Sequence, residues 1–408
     1  MGNAVVYVGN FFFPNGNASG KRVHGNLKAI QDAGYVPYAI GFHTDNEKIK
    51  KQEVDGIISY SIQYCTGSKR LDNRKPYGFF LDSIRKISAE DDVKVVIMYG
   101  SLGTVGFNKR IIRFCNRKKI VVLYDLVDMF NKPSKNNLLR YIVKKWELAQ
   151  LQNCVIRRCD GGIGISSYIQ KNVFGGMCSI VVPPLAIMKS KPVLKKDNFP
   201  IVIAYATYMS DKNRPVAEWK DRVDAIVDLG ISLVESNIKN FCFKFIGFTE
   251  ENLIDMFVNE EKEKYRERLR SLHENIIFLG PCTNEVAQNE IMNSDFTILL
   301  RDSKVSTNAG FPTKVSESLA LGVPVLSNLT SDLGSYIIDG KNGFLLKDPS
   351  ETKQNLEILK RVLLLDFSQI NEMKMTAIED CAFDYRKYSD CFGEFLRQIE
   401  GRKKDDLE

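Results

Sequence analysis

Asn308-Ala309-Gly310-Phe311-Pro312-Thr313-Lys314-Val315-Ser316-Glu317-Ser318-Leu319-Ala320-Leu321-Gly322-Val323-Pro324-Val325 is the stretch that decides how this chain reads. An apolar strand, Ile298-Leu299-Leu300, leads into it, and residues 308–312 form a loop of backbone-permissive types. Pro312 suits the first turn of a helix over Thr313–Leu321, with Val315 and Leu319 on its buried face. Gly322 stops that helix, Val323–Ser327 reads as a buried strand, and Asp339-Gly340-Lys341-Asn342-Gly343 as a tight turn. A glycine loop running into a helix N-terminus presents N–H groups and the positive end of a dipole, which suits a phosphate. Glu317, one turn inside, is spaced to accept hydrogen bonds from a ribose. The stretch therefore points to a nucleotide-sugar site.

Outward from it, the same alternation of strand and helix recurs twice. Strands are expected at Ala4–Val8, Val36–Phe42, Ile57–Tyr60, Val93–Met98, Ile120–Tyr124 and Gly161–Ile165, with helices near Ser19–Ala33, Tyr77–Ile87, Leu102–Asn116 and Asn136–Arg158. Pro183-Pro184 and the lysine-rich segment Lys191–Phe199 interrupt the series. It restarts with strands at Ile201–Tyr205, Phe241–Ile246, Ile276–Leu279, Phe296–Leu300, Val323–Ser327 and Phe344–Leu346, and helices near Pro215–Asp228, Glu251–Leu272 and Asn284–Asn293. The fold class expected is α/β: two doubly wound Rossmann-like domains, 1–183 and 184–383, facing across a cleft, with a helical end, 384–408.

The chain has 408 residues, enough for two domains of roughly 200. Its 44% hydrophobic and 26% charged residues are an ordinary soluble composition. No run approaches a membrane span, no signal peptide is apparent, and nine scattered cysteines without metal spacing read as reduced. These features point to a cytoplasmic protein. Residues 1–183 hold 27 Lys and Arg against 14 Asp and Glu, whereas residues 184–408 hold 30 against 36. A basic first half suits a phosphate-bearing substrate or an anionic membrane face; no motif accompanies the charge to point to nucleic acid. The helix Asn136–Arg158 mixes Arg140, Lys144, Lys145, Arg157 and Arg158 with Trp146 and several aliphatic residues. Part of it is expected in the core, and part against an anionic membrane.

Two further places carry candidate chemistry. In the first loop Gly16 and Gly20 can bring N–H groups to an anion, and Arg22 adds a fixed positive charge; an ordinary glycine-rich turn reads the same. His24 reads as a packed or surface histidine. Asp125 and Asp128 lie at the carboxyl end of a buried strand, where either can orient an acceptor hydroxyl or cap the next segment. No Asp-x-Asp pair stands at a strand end, so no metal is expected.

Gly310–Lys314, Ser316–Val325 and Asp339–Gly343 together resemble the donor-site signature of retaining family 4 glycosyltransferases. The resemblance is strongest over about 50 residues and implies the GT-B fold, a nucleoside-diphosphate-sugar co-substrate, and no cofactor or metal. It also implies that the last helix, Asp384–Ile399, crosses back onto the first domain. Of the two glutamates many members carry eight positions apart, the second matches Glu317 and the first position is Ala309. In the loop after Ile201–Tyr205, Lys212 matches the family's phosphate-binding lysine, whereas Thr207 stands at its arginine. Arg301, Lys314 or Arg214 is then expected to supply the second cation. The segment with Gly280 resembles the base-binding turn, and Gly310, Phe311, Pro312 and Thr313 are expected at the donor. Where many members have a histidine near Asp125 this chain has none. The reading is a retaining hexosyl-type transferase in surface polysaccharide synthesis, with Asp125, Lys212 and Glu317 as candidate catalytic residues and a carbohydrate or lipid-linked sugar as acceptor. A catalytically degenerate scaffold and a nucleotide-sugar epimerase are the alternatives.

Overall fold

Consecutive apolar residues, rather than alternating ones, build most strands of this molecule, so those strands are covered on both faces. The computed structural model describes residues 2–14, 16–64, 75–100, 105–129, 138–188, 191–198, 200–207, 219–257, 260–270 and 272–405. They group into two units: Met1–Ile187 with Ala309–Phe311 and Phe383–Glu408, and Met188–Asn308 with Pro312–Ala382.

The first unit holds an eight-stranded sheet. Its strands are β1 (Asn3–Phe12), β2 (Val36–His43), β3 (Ile49–Val54), β4 (Ile57–Gln63), β5 (Asp92–Tyr99), β6 (Val121–Leu126), β7 (Gly161–Gly164) and β8 (Cys178–Val181), in the order β3-β4-β2-β1-β5-β6-β7-β8. All neighbours are parallel except β3 and β4. Sequence reading missed β3 and β8. β3 turns back at Asp55-Gly56, where both residues have positive φ (54° and 78°), the geometry a tight hairpin demands. β8 is a four-residue strand, half-buried throughout, and gives little pattern to read.

The helix Ala18–Asp32 packs Val23, Leu27 and Ile30 into the core with Val5, Tyr7 and Ile97. The last helix, Ser389–Asp405, adds Phe392, Phe395, Leu396 and Ile399 to the same core. Lys403 Nζ bonds Asp160 Oδ1 at 2.7 Å, and the Tyr35 hydroxyl donates to Glu400 Oε1 at 2.9 Å. The chain end thus completes the first unit, as the resemblance implied.

The second unit holds β9 (Ile201–Ala206), β10 (Phe241–Ile246), β11 (Ile276–Phe278), β12 (Phe296–Leu299), β13 (Val325–Asn328) and β14 (Gly343–Leu346), all parallel in the order β11-β10-β9-β12-β13-β14. The segment 191–198 is fastened by Lys374, whose buried ammonium donates to the carbonyls of Val193 (2.9 Å) and Ser294 (2.6 Å). Two helices differ from expectation. The one expected at Pro215–Asp228 runs over Val223–Glu235, and Glu251–Leu272 divides into Glu250–Ile254 and Glu260–Arg270.

Each sheet has one place where successive crossovers leave in opposite directions, between β1 and β5 in the first and between β9 and β12 in the second. Parallel sheets bind ligands at the carboxyl ends of the strands flanking such a place.

Candidate functional site

At the β9/β12 end of the second unit, Asp221 is joined by a short bridge to Arg301, the residue that follows the apolar run of β12. The backbone of Arg301 is held by Asn328: its N–H donates to Asn328 Oδ1 at 2.9 Å, and its carbonyl accepts from Asn328 Nδ2 at 2.8 Å. So fixed, Arg301 Nε donates to Asp221 Oδ1 at 2.6 Å. Lys314, in the first turn of the helix Thr313–Ala320, donates to the other oxygen, Asp221 Oδ2. The Tyr205 hydroxyl, near the end of β9, donates to that same oxygen at 2.9 Å, and Lys314 Nζ lies 3.0 Å from the hydroxyl and 4.4 Å from the ring centroid.

Two cations thus converge on one carboxylate. Burial pushes the Asp221 carboxyl up, but Arg301 and then Lys314 outweigh it and hold the group well below the usual carboxylate value. Burial draws the Lys314 ammonium down, against the pull of Asp221. Burial and the Asp221 charge raise the Tyr205 hydroxyl, which stays a neutral donor. Arg301 and Lys314 remain 11% and 29% exposed, so an anion can reach both. Around them Arg222 and Lys304 are balanced by Asp224 and Asp302. Glu317 stands half-buried one turn along the helix from Lys314. Asp221 is the member sequence reading missed. It lies 80 residues from Arg301, with no motif to join them.

The other expected residues fall as follows. Lys212 and Arg214 lie outside the described residues, while Thr207 directly follows β9, its N–H bonded to the Ile246 carbonyl at 2.9 Å. Gly280 has a positive φ of 63°; its N–H donates to the Phe248 carbonyl (3.1 Å), and its own carbonyl accepts from Gly247 (3.0 Å). Pro312 and Thr313 open the helix that carries Lys314 and Glu317. Ala309, Gly310 and Phe311 group with the first unit. There the Ala309 carbonyl accepts from Ser166 Oγ at 2.6 Å, and the Phe311 ring stands 5.6 Å from that of Phe383.

In the first unit the loop before Ala18–Asp32 differs from its expected role. Gly16 N–H donates to the Phe12 carbonyl (3.0 Å) and Gly20 N–H to the Asn17 side chain (2.8 Å), so these donors serve the turn and the helix cap. A Cβ on Gly20 would meet the Phe12 carbonyl oxygen at 2.0 Å, a close approach that explains the glycine without a ligand. Arg22 is not an open cation. Its guanidinium is 2% exposed, pairs with Asp125 through Nη2 (2.7 Å) and Nε (3.0 and 3.2 Å), and gives Nη1 to the carbonyls of Val182 and Pro183. Asp125 is fully buried, and its second oxygen also accepts from the Tyr7 hydroxyl at 2.6 Å. With both oxygens engaged and no solvent contact, it positions the first unit's core and does not meet the expectation that it handles an acceptor. Asp128 differs: with Asn10, Asn17 and Ser19 it lines a cavity of about 330 Å³ at the β1/β5 end of the sheet. Among the described residues no group of three or more His, Cys, Asp or Glu side chains is placed to hold a metal ion.

Residues 223–377 match the family described as glycosyl transferases group 1. No curated protein sequence matches the chain. Among solved structures it is similar to a sucrose-phosphate synthase from Thermosynechococcus elongatus, at 14% identity and a TM-score of 0.66 over 98% of this chain and 100% of that one. An Anabaena protein in complex with UDP is similar at 13% identity and a TM-score of 0.60, over 97% and 100% of the two chains. An Escherichia coli trehalose-6-phosphate structure, bound with UDP-2-fluoro glucose, matches at 11% identity and 0.61, over 97% and 99%. Residues 223–377 therefore form a glycosyl transferases group 1 domain, and the whole chain takes the GT-B fold.

Proposed function

We propose that the protein is a retaining, metal-independent glycosyltransferase of family 4, moving a hexosyl group from a nucleoside diphosphate to a carbohydrate hydroxyl in surface polysaccharide synthesis. The observation that carries this reading is the convergence of Arg301 and Lys314 on Asp221 at the β9/β12 end. In the reaction the bond between the sugar's anomeric carbon and the β-phosphate oxygen breaks, and its electron pair stays on that oxygen. The acceptor oxygen forms the new bond on the same face, and its proton passes to the leaving phosphate. Negative charge grows where two cations wait, and a preorganised donor of this kind lowers a barrier by about 2.7–4 kcal/mol. Their pairing with Asp221 fixes them before substrate arrives, so little reorganisation is left for the moment of reaction. Glu317, on the same helix as Lys314, takes the ribose hydroxyls, and the turn at Gly280 takes the base.

A thermal-shift screen with UDP, GDP, ADP and CMP, repeated with Glu317→Ala, tests the donor. UDP is the first candidate because two of the similar structures hold uridine nucleotides. A nucleotide at 100 times its dissociation constant stabilises the fold by about 2.7 kcal/mol. Stabilisation by one nucleotide, cut by about half or more on Glu317→Ala, is the expected outcome; no response to any of them overturns the reading. The buried Ala309, with no carboxylate and its carbonyl taken by Ser166, favours one second reading: a donor-binding subunit without turnover. Nucleotide binding with no transfer in any acceptor mixture would select it.

A further inference from the structure

The β1/β5 end of the first sheet is as apolar as the β9/β12 end of the second is charged. Its cavity of about 330 Å³, a volume typical of small-ligand sites, is walled by Leu126, Val127, Met129, Leu148, Leu151 and Ile156. Polar groups enter it from the strand ends and the first loop, at Asn10, Asn17, Ser19 and Asp128, and from Gln152 on the helix. The wall of Leu148, Leu151 and Gln152 is the C-terminal part of the helix Leu138–Cys154. Toward its N-terminus the same helix exposes Ile142 (54%), Val143 (46%) and Trp146 (63%), with Lys145 exposed beside them and Arg157 and Arg158 exposed just beyond its end. Aliphatic residues and a tryptophan in the open, flanked by basic groups, match the anionic face of a bilayer, with the indole at headgroup level and the cations at lipid phosphates.

We infer that this cavity holds the hydrocarbon segment of a lipid-linked acceptor, drawn from an anionic membrane surface along the helix Leu138–Cys154. The inference rests on the transferase reading and names the acceptor class for it. A free oligosaccharide offers hydroxyls at every position and would leave most of this wall unmatched. A lipid chain is matched by the apolar wall, while the Asn10 and Gln152 amides suit its polar head.

The test uses the full chain and farnesyl diphosphate as the probe, with inorganic diphosphate and maltose as controls. Farnesyl diphosphate is expected to bind, and Leu148→Arg, which puts a charge on the wall, to weaken it by about tenfold or more. Gln152→Trp, which fills the cavity from a half-buried position, should do the same and serves if the first variant does not fold. The UDP thermal shift should be unchanged in both. Equal affinity in wild type and in a folded variant, or full competition by inorganic diphosphate, overturns the cavity assignment and leaves the donor reading standing. Wall-dependent binding with no nucleotide response overturns the transferase reading instead, so the two failures are distinguishable. In a second arm, Trp146→Ala should lower sedimentation with phosphatidylcholine–phosphatidylglycerol vesicles; equal sedimentation overturns the membrane-facing role of the helix.

Discussion

The two units put the same three groups to opposite uses. In the first, a tyrosine on the first strand (Tyr7), an aspartate (Asp125) and an arginine (Arg22) are sealed, with one carboxylate for one guanidinium, 0% and 2% exposed. In the second, Tyr205, Asp221 and Arg301 repeat the set, but Lys314 joins it, so one carboxylate serves two cations that solvent reaches. A balanced pair with no opening has nothing to offer a ligand and serves to position its surroundings. A carboxylate shared by two accessible cations preorganises them for an anion. The same side chains become scaffold or site according to stoichiometry and exposure, neither of which residue type records.

Asp125→Ala is the strongest way to break this comparison. It leaves Arg22 charged, buried and uncompensated, and removing one partner of a buried pair costs about 3–5 kcal/mol. Chemical denaturation should show that loss, and the double variant Arg22→Met with Asp125→Leu should recover much of it, because the volume stays filled without a charge. Asp221→Ala should cost less, since Arg301 and Lys314 can turn to water. If it destabilises as much as Asp125→Ala, the second set is scaffold too. Next in size is Lys314→Met, expected to lower kcat by about 10²–10³-fold, the effect of losing one transition-state donor. The melting temperature should move little, as the side chain is partly exposed. An unchanged kcat would remove Lys314 from the leaving-group site.

What the sequence disclosed of these two sets follows from how local each is. The strands read correctly where apolar runs are long, as in Val93–Met98, and the loop and helix around Glu317 were legible because glycine, proline and helix periodicity act over neighbours. Lys314 and Arg301 were picked out as cations near a phosphate loop. Asp221 was not, because only a bridge between distant segments brings it to Arg301. Arg22 and Asp125 were both noticed, but as separate candidates; 103 residues apart, they gave no sign that each neutralises the other. The cavity beside Asp128 was illegible for the same reason, since its walls come from strand ends and a helix that meet only after folding.

A smaller effect sharpens the second set. Glu317→Ala should weaken nucleotide binding by about 1.5–3 kcal/mol, the range for hydrogen bonds to a charged group. Titration of UDP reads it directly, and an unchanged affinity would take the ribose away from Glu317. The nucleotide's diphosphate alone should bind both proteins alike, because its partners are Arg301 and Lys314.

The smallest expected effect is the response to acid. Asp221 has a folded-state carboxyl held below its unfolded value of 3.8 by Arg301 and Lys314, so the unfolded chain takes up this proton first as pH falls. Its contribution is therefore fully present above that value and is lost progressively below it, down through the depressed folded value. At about pH 3 the unfolded form is mostly protonated and the folded form is not, which amounts to a loss of about 1 kcal/mol from this one group. Asp221→Asn removes the titrating proton while keeping the side chain's shape, so the stability difference between wild type and variant should narrow by that amount between neutral pH and pH ~3. Denaturation curves at both pH values measure the narrowing. A difference that stays constant would mean that the two cations do not hold Asp221 ionised, and with it would go the preorganised pair that distinguishes the second set from the first.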